Sequence, residues 1–202
     1  MSASATLAAL LVFSFVNSVT PGPNNLMLLA SGVNFGFRRT IPHMLGIGCG
    51  FMVMTALVGV GLSQVFERFP IAYLALKVAG AGYMVWLAWK IATSGPVGEG
   101  TSRGKPMTFL QAAAFQWVNP KAWMMVVTAV STYSITDSVV VNALTIALVF
   151  GIVNPPSISV WVLFGTAMQR WLRDPVRLRL FNGCMAAALI VSLIPMLLDG
   201  KP

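Results

Sequence analysis

Acidic residues are scarce: there are five in 202, Glu67, Glu99, Asp137, Asp174 and Asp199, and each falls in or beside a gap between apolar runs. With no carboxylate inside an apolar run, a buried acid pair for hydrolysis is excluded, and any proton coupling lacks the Asp or Glu that pumps commonly bury. Cysteine is rarer still. Cys49 and Cys184 follow no metal-ligand spacing and form no disulfide framework, so both are expected to be small buried hydrophobes, and no cofactor is implied. Histidine occurs once, as His43. The chain has no H-E-x-x-H, no G-x-S-x-G and no Walker loop, which removes the metallopeptidase, serine hydrolase and ATP-driven classes. Its start has no basic n-region and no small-residue cleavage site, so the first apolar run is expected to be a retained span.

What is present is mostly apolar. Hydrophobic residues make up 57% of the chain and charged ones 9%, where a soluble domain carries about 25% charged. Mean hydropathy is +0.80, and the composition is that of an integral membrane protein. At about 20 apolar residues per spanning helix, six spans are expected: 5–33, 41–64, 71–93, 108–131, 139–168 and 178–198. Residues 94–107, rich in Gly, Pro and Ser, form a polar linker between halves 1–93 and 108–202 of a single domain, 1–202.

The net charge of +8 sits mostly in short loops and so reads as a topology signal, not a nucleic-acid surface. One side collects Arg38, Arg39, Lys90, Arg103, Lys105, Arg170, Arg173, Arg177 and Arg179, the other only Arg68 and Lys201. That bias predicts cytoplasmic 1–2, 3–4 and 5–6 loops and both termini outside. Three spans per half then oppose the halves. The expected fold is all-α: a polytopic membrane protein of six transmembrane helices in two inverted three-helix repeats, with helices 1 and 4 broken.

The first break is Val19-Thr20-Pro21-Gly22-Pro23-Asn24-Asn25 and the second is Gln116-Trp117-Val118-Asn119-Pro120-Lys121; the fifth span adds Asn154-Pro155-Pro156. Each proline removes an N–H and bares the carbonyl four residues back, here those of Asn17, Val19, Gln116, Gly151 and Ile152. Bared carbonyls suit an ammonium group. With Pro23 at the start of a helix, Gly22 takes the cap, and the N–H groups of Asn24 and Asn25 open at a helix N-terminus that favours a carboxylate. Donors and acceptors together make a receptor for a small zwitterion, with the amides of Asn24, Asn25, Gln116 and Asn119 free to read its side chain. Lys121 is the one ionisable residue near the middle of a span and is a site candidate on that ground. Lys77 is expected to snorkel, and His43 to sit at the membrane interface. Gly46, Gly48, Gly50, Gly59, Gly61, Gly80 and Gly82 are expected to let helices cross closely.

These motifs, with Gly36-Phe37-Arg38 and the glycine-rich second span, resemble the LysE/RhtB family of bacterial amino-acid exporters over essentially the whole chain. Residues 80–94 and Ala129-Val130-Ser131-Thr132 look most like its cysteine/O-acetylserine subgroup. The resemblance implies export of a small neutral amino acid or derivative across the bacterial inner membrane, without ATP and without enzymatic activity. It carries the first-span motif onto Pro21, Gly22, Pro23 and Asn24 and the fourth-span motif onto Asn119, Pro120 and Lys121. Some members place an aspartate after the second-span glycines; Phe51 stands there instead, which argues against a cationic substrate.

The partners expected are thus a zwitterionic amino acid and the lipid bilayer, with no nucleic acid; proton coupling and homo-oligomerisation are left open. Two alternatives stand beside the exporter: a thiol-redox carrier of the CcdA type using the two cysteines, and a passive small-solute pore.

Overall fold

The computed structural model describes residues 2–62, 68–94 and 105–194. Most of the expected polar linker, along with Glu67, Glu99, Arg103, Asp199 and Lys201, lies outside them. Among the described residues the chain is helical throughout, with no strand.

Helix α1 (Ala3–Val19) ends where Thr20 turns extended, and α2 (Pro23–Phe35) restarts with Pro23 in its first turn, bent by 52° from α1. Gly36, at φ 79°, allows the reversal into α3 (Phe37–Leu57), a conformation that any side chain would strain. The helix continues as a wider turn over Val58–Leu62. Next comes α4 (Pro70–Ala92). Helix α5 (Phe109–Phe115) opens on a capping box between Thr108 and Gln111, tightens to a 3₁₀ turn at Gln116–Val118 and stops. Asn119 then caps α6 (Pro120–Thr132). Helix α7 (Val139–Met168) is the longest, and α8 (Pro175–Val191) starts at Asp174. Two backbone hydrogen bonds, from Arg177 and Val176, hold the Asp174 carboxyl below its ordinary range.

Phe37–Leu62, Leu74–Ala92 and Val139–Met168 are each long and apolar enough to cross a bilayer, and the bent pair α1–α2 passes as one further span. Helix α7 is the spine, packing along α1, α2 and α3, while α3 also packs on α5, and α4 on α8. Where lipid is as apolar as a leucine, association depends on close contact more than on water exclusion. Glycine provides it: a Cβ on Gly32 would lie 2.5 Å from the Val162 carbonyl oxygen, and one on Gly50 would lie 2.6 Å from the Ala113 backbone. Gly46 faces Phe109 and Ala112, Gly59 faces Ala143, and Gly165 meets the α2 backbone at Leu29. Gly82, expected to be a packing site, faces open space. Outward faces carry Val12, Phe15, Ile152 and Leu180, all exposed as a lipid-facing surface demands.

Three expectations are corrected here. Cys49 and Cys184 are exposed on the helix surfaces and not buried, since a small apolar thiol is equally at home against lipid. His43 is buried, at 1% exposure, because it points from α3 into the bundle and not toward an interface. Helix α7 runs unbroken through Pro155 and Pro156. A long helix packed along three others absorbs the two missing bonds without breaking; nearby, Ser157 Oγ donates to the Val153 carbonyl and Ser159 Oγ to that of Pro156, each at 2.6 Å.

Candidate functional site

The two breaks meet. Asn24 Nδ2 donates to Gln116 Oε1 at 2.8 Å, and Gln116 Nε2 returns a bond to Asn24 Oδ1 at 3.2 Å. This reciprocal amide pair joins residues 92 apart in sequence. Gln116 is fully buried and also donates to the Ala112 carbonyl at 2.9 Å, so its amide has no freedom left.

The end of α1 offers carbonyls with no helical partner, as a terminus must. Of the carbonyls expected to stand free here, that of Val19 is filled by the protein itself, along with those of Ser18, Thr20 and Pro21. Asn25 Nδ2 reaches the Ser18 and Thr20 carbonyls at 2.8 Å each, and Trp161 Nε1 takes that of Val19 at 2.9 Å. The Lys121 ammonium bonds the carbonyls of Thr20 at 2.5 Å and Pro21 at 3.2 Å. At the second break the Gln116 carbonyl accepts from the Asn119 N–H at 3.3 Å. An ammonium does sit on the first break, and it is the protein's own.

Around these bonds Gly22, Asn24, Asn25, Asn119, Lys121 and Asn154 line a cavity of about 20 Å³. That is room for about one water molecule. Phe51 and Met125 close its apolar side. Gly22 is the N-cap of α2, and no side chain caps that end, leaving its first N–H groups toward the cavity. Asn154 Nδ2 donates to Ser18 Oγ at 3.0 Å, but its Oδ1 is buried without a partner, as is Ser14 Oγ. Pro23 and Pro120 act by starting α2 and α6. Pro155 packs against Gly48 and does not line the cavity.

The second polar layer was not anticipated. Toward the far end of α2, Ser31 Oγ lies 2.8 Å from Thr40 Oγ1, and Asn34 Nδ2 donates to Asn182 Oδ1 at 3.0 Å. Asn182 Nδ2 also donates to the Ser94 carbonyl at 3.0 Å. The sequence signal was a stripe on α2, Asn24, Met27, Ser31 and Asn34, at spacings of three, four and three that put these residues on one helical face.

Breaks joined by amides and by a cationic side chain, inside an apolar helical bundle, are the arrangement found in membrane transporters with discontinuous helices. The chain belongs to the LysE family: the LysE type translocator matches residues 15–198. Such a chain is a multi-pass inner-membrane protein. It is 34% identical over 170 residues to the cysteine/O-acetylserine efflux proteins of Escherichia coli (strain K12) and Shigella flexneri, covering 83% of this chain and 86% of each relative. The same identity and coverage hold for that of Escherichia coli O139:H28. No solved structure matches the chain. Family membership leaves the thiol-relay alternative unsupported, and neither cysteine lines the cavity at the breaks.

Proposed function

We propose that this chain is a secondary exporter of small neutral amino acids or their derivatives, of the cysteine/O-acetylserine or threonine/homoserine type. It works by alternating access from the cytoplasm. The relatives named as cysteine/O-acetylserine efflux proteins support the substrate class. In this reading two inverted three-helix halves, 1–93 and 108–202, rock about the joined breaks, with six spans in all and both termini periplasmic. The bias of lysine and arginine toward one side supports that orientation.

The observation that carries the proposal is the contact between the breaks, where Lys121 holds the Thr20 and Pro21 carbonyls and Asn24 holds Gln116. A zwitterion entering here finds the N-terminus of α2 for its carboxylate and Asn154 Oδ1 for its ammonium. Asn25 and Asn119 hold the ends of α1 and α6 in place. Phe51 keeps that wall apolar and uncharged, which fits a neutral side chain. The cavity at the breaks has room for about one water, which supports a carrier over a wide, open pore.

The test is counterflow in proteoliposomes preloaded with O-acetylserine, cysteine, threonine, homoserine or lysine, with and without a pH gradient. Exchange of a small neutral amino acid but not lysine is expected. Exchange of lysine at the same rate, or of nothing from folded and inserted protein, overturns the proposal, while flux that never exceeds the gradient reassigns the chain as a pore.

A further inference from the structure

A cavity of about 580 Å³ opens beside the second polar layer, between the far half of α2, α3, α4 and the start of α5. It lies within the size range of small-molecule sites. Its wall includes Ser31, Asn34 and His43 on one side and Trp86, Lys90 and Lys105 on the other. His43 is 1% exposed, and neither ring nitrogen has a hydrogen-bond partner. Its polar neighbours are all engaged: Ser31 with Thr40, Thr40 with the Gly36 carbonyl, and Asn34 with Asn182. A buried imidazole left without partners among the described residues is costly, and His43 borders a cavity whose occupant could bond it after a small turn of the ring.

The remaining lining fixes the chemistry of that occupant. Lys90 lies 4.4 Å from the centre of the Trp86 ring, Lys105 also lines the cavity, and among the described residues no lining side chain is acidic, so an anionic end group is favoured. A neutral imidazole presents one donor and one acceptor, which matches a small uncharged polar group such as a hydroxyl, thiol or ester. Met27 lines this cavity and Asn24, one turn earlier on the same face of α2, lines the cavity at the breaks.

We propose that this cavity is a separate loading site for a small amino acid, whose carboxylate faces Lys90 and Lys105 and whose polar side chain is read by His43. The proposal rests on the exporter reading and adds a second station to it. From there the solute passes one turn along α2 to the breaks. His43 is then a specificity residue acting before the transport step, and its loss weakens loading more than turnover.

The test uses the full chain in lipid nanodiscs with Cys49→Ala, Cys184→Ala and Thr93→Cys, a position that is exposed and lines the cavity. O-Acetylserine should slow maleimide labelling of the introduced thiol, and lysine should not. His43→Phe should abolish that protection and, in proteoliposomes, raise the counterflow KM about tenfold with kcat nearly unchanged, while His43→Gln, which keeps a donor and an acceptor, should restore most of it. Protection that survives His43→Phe, or exchange with no protection at all, overturns the loading site. Protection without exchange upholds the site and removes the exporter reading instead. A measurement that leaves His43 untouched is Trp emission: O-acetylserine should quench it, and Trp86→Phe with Trp89→Phe should remove the quench. A quench unchanged by those substitutions counts against the site.

Discussion

Replacing Lys121 with methionine keeps the stem and removes the ammonium. The Thr20 and Pro21 carbonyls, now bonded at 2.5 and 3.2 Å, then lose their donor. Hydrogen bonds from a charged group contribute about 1.5–3 kcal/mol each. Lys121 is only half-buried, and water recovers part of that, so a net loss of about 1–3 kcal/mol is expected, or roughly 5- to 150-fold in kcat/KM. Gly22→Ala reaches the same end by another route. Its backbone is extended, at φ −177° and ψ 178°, which alanine adopts freely, so no strain falls there. The new Cβ would instead sit 2.6 Å from Lys121 Cδ and 3.3 Å from Nζ, and the lysine must leave its carbonyls. The assay is the initial rate of O-acetylserine counterflow, with insertion verified by size-exclusion chromatography. Gly22→Ala should lower kcat/KM in the same direction as Lys121→Met, and the double variant should be no worse than Lys121→Met alone, because both remove one interaction. Additive losses, or wild-type transport in Gly22→Ala, would refute the reasoning.

Asn24→Ala breaks the amide pair and leaves Gln116 Oε1 buried without its donor, which costs about 1–3 kcal/mol; counterflow should fall at least fivefold while the amount of inserted protein stays constant. Asn119→Ala removes the cap on the Lys121 N–H and should lower stability by about 0.5–2 kcal/mol, read as a lower thermal midpoint. Gly50→Ala presses a Cβ against the Ala113 backbone and should destabilise by about 1–3 kcal/mol, whereas Gly82→Ala meets nothing and should unfold as the wild type does. Replacing Cys49 and Cys184 with serine should leave counterflow intact, and a loss would revive a redox role.

The helix interruptions were legible because proline and glycine act through the backbone, whatever surrounds them. Pro23 and Pro120 each start a helix, as the missing N–H requires. What fills the bared carbonyls was not legible. Trp161 and Lys121 reach the first break from distant positions, and only tertiary packing brings them there. Pro155 and Pro156 misled because a long helix packed along three neighbours absorbs two missing bonds without breaking, and that packing is not written in the local sequence. His43 was misplaced because distance from a span end gives depth but not which way a helix face turns. Gly32 and Gly165, the closest crossing of α2 and α7, lie outside the glycine-rich stretch that drew attention, and single glycines give no such signal.

Those crossings also have a mechanical meaning. Gly32 and Gly165 set α2 backbone to backbone on α7, and Gly46 and Gly50 do the same for α3 on α5. Both crossings join one half of the chain to the other with no side chain between the backbones, so the proposed rocking of 1–93 against 108–202 needs no rotamer change there. On α4 and α8, Gly82 and Gly183 touch nothing. Gly80 on α4, by contrast, would press a Cβ to 2.6 Å from the Val118 side chain, so a residue enlarged at any of the close crossings should shorten the molecule's working stroke, and one enlarged at Gly82 or Gly183 should not.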